Sequence, residues 1–115
     1  MTHTIMLVED SAVVRKLLSQ LLVIEGYAVL LAEDGEKALT LLEAARPLPD
    51  VIILDLMMPV MDGWEFLTHR AVLPDAAAIP VIVTSASADR LPHGFVSVPK
   101  PMRIDALLKA IESCL

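Results

Sequence analysis

The chain has 115 residues, a formal charge of −6 and one cysteine, Cys114. That length is one domain with one core, a lone cysteine rules out an internal disulfide, and an acidic balance with no Lys/Arg run argues against direct nucleic-acid binding. No apolar run approaches the ~18 residues of a membrane span, and the opening MTHTIMLVED lacks a basic leader, so a cytoplasmic protein with no membrane insertion is expected.

Hydrophobic residues make up 56% of the chain and aromatic ones only 3%, so the core must be aliphatic. The first apolar run is Ile5–Val8. A helical stripe of Val14, Leu17, Leu18, Leu21 and Leu22 follows, spaced i, i+3, i+4, i+7, i+8. Ser11 is placed to cap that helix and Gly26 to end it. A second run, Ala28–Ala32, precedes the stripe Ala38, Leu41, Leu42, Ala45. Pro47, Pro49 and Asp50 break the chain before the third run, Val51–Leu54. Gly63 opens a third helix with the stripe Trp64, Leu67, Ala71; this phase turns Phe66 outward, toward a partner. Pro74 and Pro80 bracket a loop before Val81–Val83. Phe95–Val98 is the fifth run, and Ile104, Leu107, Leu108, Ile111 and Leu115 form the last stripe.

Runs apolar at consecutive positions suit strands buried on both faces. Their alternation with helices predicts an α/β fold: one doubly wound parallel sheet with helices on both faces, spanning 1–115 as a single domain that leaves no room in this sequence for an output domain. In such folds the functional crevice lies at the carboxyl ends of the strands.

Acidic and hydroxyl residues stand at those ends. Glu9 and Asp10 follow the first strand, Asp55 ends the third, Thr84 and Ser85 end the fourth, and Lys100 follows the fifth with Pro101 next. Two unit charges ~4 Å apart interact by roughly 4 kcal/mol at an effective dielectric of 20, so three converging carboxylates need cations. Lys100 is one; a hard, oxygen-seeking ion such as Mg²⁺ is the natural second. An ionised Asp beside both is a nucleophile suited to phosphorus, and a hydroxyl at Ser85 is placed to hydrogen-bond the phosphoryl oxygens.

The runs VEDS (8–11), DVIILDLMMPVMDGWEFL (50–67), PVIVTSA (80–86) and VPKPM (98–102) resemble the receiver domain of two-component response regulators, in the family's order and near its spacing. The resemblance covers essentially the whole chain. It implies a flavodoxin-like sheet of order 2-1-3-4-5 and a phosphorylation-controlled switch, not an enzyme beyond its own phosphoryl transfer and autodephosphorylation. Asp55 would take a phosphoryl group from the phosphohistidine of a sensor histidine kinase or phosphotransfer protein, and the change would be read by a downstream protein that the sequence does not identify. Asp10, Asp55 and the backbone carbonyl of Met57 would hold Mg²⁺ (or Mn²⁺), with Glu9 holding a metal-bound water or ligating directly. Lys100 would pair with the phosphoryl group or with Asp55. Ser85 would be the hydroxyl that reorients, with Thr84 the alternative. Pro59 and Gly63 would shape the loop after the acceptor, and a cis Lys100–Pro101 peptide would aim the lysine.

Two departures from the family pattern stand out. The segment between the fourth and fifth strands is short and lacks a helical stripe, so the family's fourth helix is expected to be very short or missing. Ser97 stands where relatives often carry an aromatic residue, with Phe95 on the same face by strand alternation. A competing reading, an aspartyl-phosphate hydrolase of the haloacid-dehalogenase type, wants a general acid two residues after the nucleophile; Met57 is there and has no proton to give.

Overall fold

A computed structural model describes residues 2–86 and 91–115. The apolar runs form five strands, β1 (Thr4–Val8), β2 (Ala28–Ala32), β3 (Val51–Asp55), β4 (Val81–Ser85) and β5 (Val96–Pro99). All pair in parallel, in the order β2-β1-β3-β4-β5. Helices α1 (Ala12–Ile24), α2 (Gly35–Ala44), α3 (Gly63–Arg70) and α4 (Ile104–Cys114) lie between or after them, with a 3₁₀ turn at Ala76–Ala78 before β4. Sheet order and helix placement match the expected doubly wound fold.

Strand alternation divides the core in two. Ile5, Leu7, Val51, Ile53, Ile82 and Val98 face α1 and α4, meeting Leu18, Leu22, Leu107, Ala110 and Ile111. Met6, Val8, Ile52, Leu54, Val81 and Val83 face the other way, onto Ala38, Leu42, Phe66 and Leu67 of α2 and α3. Each of α1 to α3 starts on a polar side-chain cap, and these caps sit at the strand-end edge of the sheet. Ser11 Oγ accepts from Val14 N–H at 3.3 Å, Asp34 Oδ1 from Lys37 N–H at 2.9 Å, and Asp62 Oδ1 from Glu65 N–H at 2.9 Å. Gly26, with φ of 95°, closes α1 in the left-handed region.

Four expectations need correction. Strand β2, at the edge of the sheet, is not buried on both faces: Ala28 and Leu31 are exposed. Leu17 is 55% exposed, because Val14, Leu18 and Leu22 already fill the sheet-facing side of α1. Phe66 is fully buried: the inner face of α3 is Gly63, Phe66, Leu67 and Arg70, and Ala71 is exposed. Glycine and arginine hid that i, i+3, i+4, i+7 stripe from an apolar count. Phe95 precedes β5 instead of starting it.

Among the described residues no helix lies between β4 and β5; residues 87–90 of that connection are outside the description. Leu91 and Phe95 pack against the α2–α3 side of the core. The Phe95 ring lies 5.7 Å from Arg70 Cζ. Arg70 is buried, and its Nη2 donates to Ala77 O at 2.7 Å and Ile79 O at 2.6 Å, tying the end of α3 to the entry of β4.

Candidate functional site

The carboxyl ends of β1, β3, β4 and β5 bring the expected residues together. β3 runs to Asp55 and β4 to Ser85, so both side chains stand on the rigid last residue of a strand. Glu9 follows β1, its N–H still bonded to Ala32 O at 3.1 Å. Carboxylate oxygens of Glu9, Asp10 and Asp55 lie within 4.8 Å of one another. Glu9 and Asp55 are buried and Asp10 is exposed. Lys100 arrives from the end of β5 through a cis Lys100–Pro101 peptide. Its Nζ stands 3.1 Å from both Glu9 Oε1 and Asp55 Oδ2.

Each buried carboxylate has a second hold. Glu9 Oε2 accepts from Ser11 N–H at 3.1 Å, and Asp55 Oδ1 accepts from Met57 N–H at 3.1 Å. Burial pushes the Glu9 carboxyl above its ordinary range. The Ser11 N–H and the Lys100 ammonium pull it down and the Asp55 charge pushes it further up. Burial also disfavours the charge on Lys100, but hydrogen bonds and charge from Glu9 and Asp55 outweigh it and hold that ammonium above its ordinary range.

Two hydroxyls end β4. Thr84 pairs in register with Asp55, but it is buried and its Oγ1 donates to Leu54 O at 3.3 Å. Ser85, also buried, accepts at its carbonyl from Lys100 N–H at 2.9 Å, which ties the two strand ends together. The loop after Asp55 folds back through a 2.9 Å bond from Gly63 N–H to Leu56 O. It exposes Met57 and Pro59 and carries Val60 at φ of 67°. A Cβ on Gly63 would lie 2.6 Å from Leu56 Cα and 3.0 Å from Asp55 O, so only glycine fits there.

Three carboxylates converging on one opening are the oxygen donor set of a hard divalent cation. Two of them lean on one lysine, so the set still carries more negative than positive charge. The donor chemistry therefore fits Mg²⁺. Arg15 was not among the expected site residues, because a basic residue inside an amphipathic helix reads as solvated; it reaches back to the backbone of Glu9 and Asp10.

The family model of the response regulator receiver domain matches residues 5–112. The chain belongs to that family. This receiver domain is similar to the curated response regulator MprA of Mycolicibacterium vanbaalenii, at 34% identity over 96% of the chain and 49% of the relative. The chain thus spans about half the length of the curated relatives it matches. Among solved structures it is similar to the chemotaxis response regulator CheY4 of Vibrio cholerae, at 30% identity and a TM-score of 0.88, covering 100% of both chains. It is also similar to the receiver domain of the sensor histidine kinase PA1611 from Pseudomonas aeruginosa, at 27% identity and a TM-score of 0.89 over 98% of this chain and 97% of that one; a magnesium ion is coordinated in that protein's active-site cleft. The receiver domain therefore belongs to the phosphorylation-controlled signalling switches of two-component systems. Among its described residues no helix is long and apolar enough to cross a membrane.

Proposed function

We propose that Asp55 accepts a phosphoryl group from the phosphohistidine of a sensor histidine kinase or phosphotransfer protein, and that residues 1–115 act as one cytoplasmic switch unit. The observation that carries this reading is the single ammonium of Lys100, 3.1 Å from both Glu9 and Asp55 at the mouth of the three-carboxylate cluster. Asp10, Asp55 and the Met57 carbonyl would hold Mg²⁺ (or Mn²⁺), with Glu9 behind them. The ion would supply positive charge for the transferring group. Asp55 is the nucleophile because it ends a strand and has a lysine to offset the charge that develops. Ser85, the last residue of β4, supplies the hydroxyl that answers phosphorylation, with Thr84, whose Oγ1 donates to Leu54 O, the alternative. Pro59, Gly63 and Pro101 hold the surrounding loops. Beyond its own phosphoryl transfer and dephosphorylation the domain has no second substrate. An ester hydrolase is disfavoured by exposed Met57 at the general-acid position.

The donor protein docks beside the pocket. Val14, Leu17 and Leu21 of α1 line an apolar groove of about 330 Å³ together with Lys100, Met102 and Ile104. Lys100 lines that groove and stands 3.1 Å from Asp55, so a donor seated there lies next to the acceptor.

Intact mass after incubation with Mg²⁺ and a small acyl phosphate tests the chemistry. One phosphate adduct is expected, lost in Asp55→Asn and without metal. A folded, Mg²⁺-binding protein that gains no adduct from either a small donor or a phosphohistidine donor is a docking domain instead. Leu17→Asp is expected to slow phosphorylation by a phosphohistidine protein while leaving the small-donor rate unchanged.

A further inference from the structure

We infer that Arg15 is the positioning residue for Asp10, the most exposed carboxylate of the pocket. The inference rests on the reading of that pocket as a Mg²⁺ site. Arg15 lies one turn inside α1 and is half-buried. Its Nη1 turns back and donates to Glu9 O at 2.8 Å and to Asp10 O at 3.3 Å. Those carbonyls belong to the two peptide planes that flank the Asp10 Cα. Peptide units are planar, so the only soft torsions between the planes are φ and ψ of Asp10. One guanidinium nitrogen holding both oxygens therefore restrains the two torsions jointly, and with them the direction in which the Asp10 side chain leaves the backbone.

Asp10 needs this more than its neighbours do. Glu9 is held by Lys100 and the Ser11 N–H, and Asp55 by Lys100 and the Met57 N–H. Among the described residues the Asp10 carboxylate has no hydrogen bond or ion pair. Both carbonyls lie past the end of β1, beyond the Glu9 N–H bond to Ala32 O that is the last toward β2. Repulsion from Glu9 and Asp55 would swing an untethered Asp10 outward. Arg15 keeps it at the cluster without touching any carboxylate.

The test measures the Mg²⁺ dissociation constant by calorimetry for wild type, Arg15→Met and Arg15→Lys, and repeats the Met substitution in Asp10→Asn. Loss of a ligand-orienting group typically weakens a metal site 10- to 100-fold; Arg15→Met is expected to bind about tenfold more weakly at unchanged melting temperature. Lys, whose ammonium can donate to both carbonyls but reaches less far, is expected to restore it in part. In Asp10→Asn the Met substitution is expected to change nothing further, as non-additivity between coupled residues requires. In metal-free protein, exchange of the Asp10 and Ser11 amides is expected to quicken in Arg15→Met. Equal affinity of wild type and Arg15→Met, or an unreduced effect in Asp10→Asn, would overturn the assignment while leaving the pocket reading intact. A wild-type protein that binds no Mg²⁺ would overturn both.

Discussion

Lys100 Nζ stands 3.1 Å from Asp55 Oδ2, joining residues 45 positions apart in the chain. The same nitrogen meets Glu9 Oε1 at 3.1 Å, so one lysine offsets two buried acids. Lys100→Met leaves those acids facing each other. Stripping a buried pair of one partner costs ~3–5 kcal/mol, less here because the cluster opens to water at Asp10. A loss of about 2 kcal/mol is expected in metal-free protein. Urea unfolding with and without Mg²⁺ checks this. The deficit should shrink when the ion is present, and an unchanged midpoint without metal would show that Lys100 is not the counter-charge.

Glu9 gives the metal-free protein a pH dependence of known sign. Its carboxyl titrates above the ordinary value of 4.5, chiefly through burial. Between that ordinary value and the raised one, the folded protein keeps a proton that the unfolded chain has lost. Stability therefore falls as pH rises through the window and stays at the lower level above it. Glu9→Gln removes this slope. Relative to the Gln variant, wild type should lose stability as pH rises above the ordinary value of 4.5; a constant gap between the two proteins on both sides of it contradicts the assignment.

Val60 is a β-branched residue in the left-handed region, at φ of 67°, on the exposed loop after Asp55. That conformation costs an L-residue ~1–2 kcal/mol, and asparagine tolerates it better. Val60→Asn is expected to stabilise the fold by about 1 kcal/mol. A thermal melt decides it; a lower melting temperature would mean that the valine side chain contributes more than its backbone costs.

Gly63→Ala is expected to act in the opposite sense. Its Cβ would meet Leu56 Cα at 2.6 Å and Leu56 Cδ2 at 2.7 Å, directly under the strand end that carries Asp55. Backbone cannot yield as a side chain tip does, so a loss of about 1–3 kcal/mol is expected, with slower phosphorylation as Asp55 shifts. A variant as stable and as quickly phosphorylated as wild type would show that α3 slides freely on β3.

Much of the fold was legible in local chemistry. Consecutive aliphatic residues at 5–8, 51–54 and 81–83 read as doubly buried strands because each face of a central strand meets helices. Ser11 and Gly63 marked helix starts for reasons that act within one turn. The four motifs likewise named Glu9, Asp10, Asp55, Ser85 and Lys100, since each follows or ends a strand and parallel strands end at one edge.

What the sequence by itself determined was therefore the set of elements, their order and the edge at which the acids meet. The tertiary structure decided which helix face turns inward and which distant groups touch. Phe66 is buried because Gly63 and Arg70 share its face, one fitting against Leu56 by lacking a side chain and the other by bonding the carbonyls of Ala77 and Ile79. Leu17 faces a groove because three other residues of α1 already fill the sheet side. The lysine bridge and the reach of Arg15 depend on angles between elements. Those angles come from packing the whole core at once, and no window of sequence contains them.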